Sequence, residues 1–377
     1  MQQTYLFSAP GRTELGGNHT DHQRGCVLAA AVDLETTAEV VLNGTDSIRV
    51  FSEGYAPVEV LLSDLQIHPG EENTTAALVR GVAAAFADRG ANLRGFDAHV
   101  KSTVLPGSGL SSSAAFEVLM GTILNELFFD KSMAPTEIAR IGQYAENVYF
   151  GKPCGLMDQM ASAVGGMVFI DFEYPSCPVV ERIDFDMMAA GYALCIIDTG
   201  ADHADLTADY AAIPGEMWEI CHYFDKNVLR EIDKTDFWAA LPQLRGKVTD
   251  RAILRAIHFY HENDRAQQQA EALRCGDMEA FLELVKASGR SSWMYLQNIT
   301  LTGAVEQQSV AFTLALCEEL LAGRGACRVH GGGFAGTVQA FVPLDLLDAF
   351  CNGVESVLGI GKCHVLSVRR DGGIRMK

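Results

Sequence analysis

Hydrophobic and polar positions recur along this chain with two periods, one of strands and one of helices, interleaved from end to end. Phe96, Ala98, Val100, Ser102 and Val104 fall on every second residue, the period of a half-buried strand. After a stretch rich in glycine and serine, Phe116, Leu119, Met120, Ile123 and Leu127 recur at helical spacing. Residues 96–128 therefore predict strand, loop, helix. A second helix is expected from Pro135, a residue suited to a first turn. Ile138, Ile141, Ala145 and Val148 form its apolar stripe, and Gly151 and Pro153 stop it. Residues 167–172 and 193–198 read as strands. Between them the turn-forming run Tyr174-Pro175-Ser176-Cys177-Pro178 suggests a domain boundary. The second half is more helical, with periodic stretches around 253–260, 281–287 and 310–321. A turn at Gly331-Gly332-Gly333 leads into a strand over 337–342. The pattern predicts two α+β domains, residues 1–180 and 181–377, with a cleft between them.

Bulk properties narrow the function. Of 377 residues, 48% are apolar, enough to bury two cores, and 20% are charged, which argues against long disorder. The formal charge is −19, from 29 basic and 48 acidic residues. Such a balance disfavours nucleic acid and anionic membrane as partners. An anionic ligand must instead be held by backbone N–H groups, a metal ion or a few placed cations. No apolar run reaches the ~20 residues of a membrane span, and no secretory leader is evident. The ten cysteines show no CxxC or Cys/His ligand spacing. That usage fits free thiols in a reducing, cytoplasmic compartment.

One stretch carries chemistry on its face. Gly107, Ser108, Gly109, Leu110, Ser111, Ser112, Ser113 and Ala114 lie between a strand and a helix. A helix N-terminus offers unpaired N–H groups and a positive dipole end, both suited to phosphate. Glycines allow close approach, and the serine hydroxyls reach phosphate oxygens or Mg²⁺. The lysine of a Walker A loop is missing. A serine-capped helix after a tight turn would show the same residues.

The run Gly109-Leu110-Ser111-Ser112-Ser113-Ala114-Ala115 resembles the phosphate-binding motif of the GHMP kinases. Pro10-Gly11-Arg12-Thr13-Glu14-Leu15-Gly16-Gly17-Asn18-His19-Thr20-Asp21-His22 is similar to the N-terminal galactokinase signature. Val329-His330-Gly331-Gly332-Gly333-Phe334-Ala335-Gly336 resembles the glycine-rich third motif. All three stand in the family's order across residues 10–342. The resemblance implies a ribosomal protein S5 domain 2-like N-terminal domain and a ferredoxin-like C-terminal domain. It implies an ATP- and Mg²⁺-dependent sugar 1-kinase acting on galactose, a monomer or weak oligomer. Gly151 to Gln159 looks like the segment holding the catalytic aspartate, so Asp158 is the candidate base and Arg12 its partner. The resemblance further makes Glu146 with Ser112 the expected Mg²⁺ ligands. It makes Asn18, His19, Asp21, Asp158 and Tyr210 the sugar contacts.

Three departures stand out. Glu14 replaces the family's asparagine, and Asn18 replaces a glutamate that contacts the sugar's 6-hydroxyl. A neutral Asn18 would be less hostile to a 6-carboxylate, so galacturonate is an alternative substrate. Thr75 occupies the apparent place of an adenine-stacking aromatic ahead of Val79-Arg80-Gly81-Val82. Two further alternatives are a non-catalytic sugar/ATP-binding sensor on the same fold and a kinase for mevalonate or homoserine.

Overall fold

The computed structural model describes residues 3–104, 109–201 and 206–377, apart from the Thr207 side chain. Two long strands organise it. β1 (Thr4–Gly16) and β2 (Cys26–Leu42) pair antiparallel, with register shifts between Pro10 and Arg12 and between Glu14 and Gly16. They are followed by β3 (Ser47–Ser52), β4 (Val58–Leu61), β5 (Phe96–Ser102), β6 (Met167–Asp171) and β7 (Val179–Ile183). β2 is long enough to serve two neighbours: its second half pairs β5 and its first half pairs β6. The last strand, β12 (Ile374–Arg375), pairs with β1. The order is β12-β1-β2-β5-β3-β4, with β6 and β7 continuing from β2.

A second sheet has the order β11-β8-β10-β9, from β8 (Tyr192–Asp198), β9 (Ala326–His330), β10 (Thr337–Pro343) and β11 (Cys363–Leu366). The expected division after residue 180 falls within β7, and β12 returns the chain's end to the first sheet.

The helices cover the sheet faces. In the first half they are α1 (Thr75–Asp88), α2 (Ser112–Phe128), α3 (Pro135–Tyr144) and α4 (Met157–Val164). In the second half they are α5 (Thr207–Tyr223), α6 (Lys234–Leu244), α7 (Asp250–Arg274), α8 (Met278–Ser291), α9 (Ser309–Leu321) and α10 (Leu347–Leu358). Alternation along β2 explains the layering. Val27 and Ala29 join one core with Phe86 of α1 and Leu119 of α2. Leu28, Ala30 and Val32 join another, with Phe281 and Val285 of α8 and with Ile196 and Phe341 of the second sheet. The far face of that sheet packs on α9 and α10. β2 is thus buried on both faces over Cys26–Val32, which reads in sequence as one unbroken apolar run.

The expected elements lie within a few residues of the observed ones, except that the helix expected around 253–260 runs on to Arg274. Periodicity gives no sign of α1, α4, α5, α6 and α10, nor of β1–β4, β7, β9, β11 and β12. No helix among the described residues is long and apolar enough to cross a membrane.

Candidate active site

The irregularity in β1 before Arg12 re-aims its side chain, as bulges do. Arg12 Nε and Nη2 donate to both carboxylate oxygens of Asp158, at 2.7 and 2.6 Å. Its Nη1 donates to the Gly109 carbonyl, and its backbone N–H donates to the Leu110 carbonyl at 3.0 Å. The phosphate-loop end is thereby tied to β1. Ser111 precedes α2 in the left-handed region, φ 58°. Its hydroxyl does not cap the helix but donates to Asp158 Oδ2 at 2.7 Å. Asp158 itself sits in the first turn of α4, where a helix dipole favours a carboxylate. Burial pushes the Asp158 pKa up, but the Arg12 charge, its hydrogen bonds and the Ser111 hydroxyl outweigh this and hold it below its usual value. Asp158 is therefore ionised at neutral pH, with 30% of its side chain open to solvent.

Ser112, Ser113 and Ala114 open α2, so their N–H groups belong to a helix N-terminus. Gly107 and Ser108 lie outside the described residues. The structure joins Ser113, not Ser112, to the expected metal glutamate: Ser113 Oγ donates to Glu146 Oε1 at 3.2 Å. Glu146 lies in a π-type turn, Ala145–Phe150, that extends α3 and ends at Gly151. Lys152 Nζ reaches the same oxygen at 3.3 Å, and Gln159 Nε2 donates to Oε2 at 2.9 Å. Gln159 also donates to the buried Glu117 at 2.9 Å. Burial, with the Glu146 charge next, raises the Glu117 pKa well above the usual value. Glu117 was not anticipated, although it is the lone charge within the apolar run 114–124 of α2. Ser112 instead lines a cavity of about 350 Å³ with Thr75, Tyr55, Leu78, Val100 and Phe116. Two aromatics thus border the space where Thr75 stands.

The residues expected to meet the sugar divide. His19 Nε2 lies 3.1 Å from the Gly332 carbonyl, and the Tyr210 hydroxyl donates to the Gly333 carbonyl at 2.8 Å. Both therefore border the third glycine motif. Asp21 accepts the His22 backbone N–H at 2.9 Å and abuts Gly155, where any Cβ would collide with its carboxylate. Burial raises the Asp21 pKa to about 6, with the Asp158 and Glu14 charges adding to the push. His203, beside Tyr210 in sequence, lies outside the described residues.

Asn18 is held differently. It is 1% exposed. Its amide nitrogen donates to the Gly331 carbonyl at 2.7 Å and to Glu14 at 3.2 Å. Its amide oxygen accepts from Asn298 at 3.0 Å and Ser292 at 3.4 Å. Both polar atoms are satisfied by the protein, so Asn18 braces the motif.

Comparison with known proteins places this arrangement. The family model for the N-terminal domain of GHMP kinases matches residues 77–166, and the galactokinase galactose-binding signature matches residues 1–41. The fold is shared with mevalonate kinase from Methanococcus jannaschii, at a TM-score of 0.69 and 14% identity over 98% of this chain and 99% of that one. The two layered sheets are thus those of the GHMP kinase fold. Similarity is greater to the galactokinase of Lactococcus lactis, solved with galactose: TM-score 0.84 and 26% identity, covering 99% of this chain and 95% of that one. The galactokinase of Streptomyces coelicolor is 32% identical over 355 residues, 93% of this chain and 87% of the relative. The chain belongs to the galactokinase family.

Proposed function

We propose that this protein transfers the γ-phosphoryl group of ATP to the anomeric C1 hydroxyl of galactose, giving galactose 1-phosphate and ADP. The observation that carries the reading is the meeting of Arg12, Asp158 and Ser111. It lies between the α2 N-terminus, which suits phosphate, and the loop of His19 and Asp21, which suits sugar hydroxyls. Phosphoryl transfer needs positioning and charge neutralisation more than covalent chemistry. Ionised Asp158 accepts the hydrogen of the attacking hydroxyl and orients its lone pair. Arg12 keeps that carboxylate ionised and adds positive charge where the transferring group becomes anionic. The α2 N–H groups hold the phosphates, and the cavity beside Thr75, Tyr55 and Phe116 takes the base.

The hard oxygen donors of Glu146 and Ser113 fit Mg²⁺, which when bound neutralises phosphate charge. Lys152 and Gln159 hold the glutamate in place. In this assignment Ser113 replaces Ser112 as the serine partner. Catalysis is favoured over a sensor role because Arg12, Asp158 and Ser111 form one hydrogen-bonded group, Ser113, Glu146 and Gln159 form another, and the chain neighbours Asp158 and Gln159 set the two side by side. We take residues 1–180 and 181–377 as the two lobes, with the chain's end returning to the first.

A sugar panel assayed for ADP release tests the reading. Galactose-dependent ADP release with galactose 1-phosphate as product is expected, and galacturonate should give none. Galactose binding without ADP release would leave a sensor in its place.

A further inference from the structure

Three of the ten cysteines converge at one point, on the face of the second sheet turned away from the catalytic network. The strand register brings two of them together. Cys195 of β8 lies opposite Val365 of β11, and Cys363 lies opposite Ile197, so the cysteines are diagonal neighbours on one face. That face carries Ala193, Cys195 and Ile197, whereas Leu194 and Ile196 point into the other core. α10 supplies the third. Leu347, Phe350, Cys351, Val354 and Leu358 recur at helical spacing, and this stripe packs on the sheet. The three Sγ atoms all lie within 4.8 Å of one another, and the pair Cys351 and Cys363 is 3.5 Å apart.

We propose that Cys195, Cys351 and Cys363 form a three-thiolate site for a soft cation of the Zn²⁺ class. A Zn²⁺ ion ~2.3 Å from each sulfur requires sulfurs separated by about 4 Å, which the cluster meets with small side-chain adjustments. Thiolates select soft cations over Mg²⁺, so the site does not compete for the metal of the kinase reaction. Cys351 and Cys363 are half-buried, which gives an ion a way in, while Cys195 is buried. The carboxylates Asp348 and Glu355 are the charged side chains acting on Cys351, and they favour a cation nearby. Each thiol that becomes a ligand releases one proton, and the fourth coordination position is left to water. A bound ion would clamp α10 to β8 and β11, which are otherwise joined there by apolar contacts.

The full chain, stripped with chelator and kept reduced by a phosphine, is titrated with Zn²⁺ and in parallel with Cd²⁺. One tightly held equivalent is expected, with thiolate-to-Cd²⁺ absorption and a rise in Tm. Iodoacetamide labelling of the unmutated chain should show Cys351 and Cys363 protected by one equivalent of Zn²⁺. The exposed Cys177 and Cys275 should stay reactive. C351S and C363S should each weaken binding at least about tenfold, since even lost outer-shell partners have that effect. Galactose-dependent ADP release should survive in both. The proposal is overturned if no equivalent binds, if both variants bind as well as the parent, or if labelling at Cys351 and Cys363 is unchanged by metal. It is equally overturned if mass analysis of the chain as purified, before any reductant is added, shows a Cys351–Cys363 disulfide in place of bound metal. Should either variant fail to fold, the labelling pattern of the parent chain decides.

Discussion

Asp158 is held by three donors from two other parts of the chain, so its charge state and direction are fixed before any substrate arrives. Asp158→Asn keeps the shape but removes an acceptor oxygen and the charge Arg12 answers. ADP release should fall by about 10²–10⁴-fold, the usual span for a general base, while ATP binding persists by calorimetry. Full turnover would remove Asp158 from its role. Asp21 makes the opposite kind of case, because burial lifts its pKa from 3.8 to about 6. Below about pH 4 it is protonated in both folded and unfolded chains and costs nothing. As pH rises through 6 the folded chain must hold a poorly solvated carboxylate and loses stability. Asp21→Asn should therefore stabilise the fold near pH 7.5, by at most about 3 kcal/mol at 1.36 kcal/mol per pKa unit, and raise Tm accordingly. The gain should vanish toward pH 4 in a melting series, while KM for galactose rises. A gain that grows in acid would contradict the assignment.

At the scale of elements, the metal assignment turns on one residue of helical phase. Successive positions on a helix point about 100° apart, so of the adjacent serines only Ser113 faces the π-type turn carrying Glu146. Glu146→Gln and Ser113→Ala should each raise the Mg²⁺ concentration for half-maximal rate several-fold. Ser112→Ala should leave it unchanged and act on the KM for ATP through the cavity it lines. Equal Mg²⁺ dependence of the two serine variants would reject this phase argument. Glu117, on the same helix, is buried against Glu146 with only Gln159 between them. Burial and the Glu146 charge push its pKa up, toward the neutral form that avoids two like charges in one pocket.

Across the whole molecule, the two sheets meet along a polar seam. Arg328, His330, Thr337 and Gln339 alternate with apolar residues on β9 and β10 and turn toward β1. Arg328 pairs with Glu14 at 2.7 Å, both side chains being at most 5% exposed. Gln339 donates to Thr13 and the Glu14 carbonyl, and His330 lies 3.0 Å from the Thr13 hydroxyl. Glu14 and Asn18, the two departures from the family signature, are thus bonded to each other, and Arg328 answers the Glu14 charge. Arg328→Ala should strand a buried carboxylate and cost about 3–5 kcal/mol by denaturant unfolding. Adding Glu14→Gln should recover part of that loss. A mild effect of the single variant would mean that water reaches the seam.

The order of motifs, the strand–loop–helix around the serines and the family itself were legible in the sequence, because they rest on local spacing and residue type. The Arg12 and Asp158 pair proposed for catalysis was legible too, as two positions each embedded in its own motif. What only the tertiary structure decided is which side chains meet across the chain. Ser113 and not Ser112 reaches Glu146, Asn18 is consumed by the protein, and Glu14 finds Arg328, 314 residues away. Periodicity shows that a residue faces inward but not what stands opposite. For a polar group the partner matters more than the burial, since a satisfied amide braces a fold while an unsatisfied one seeks a ligand.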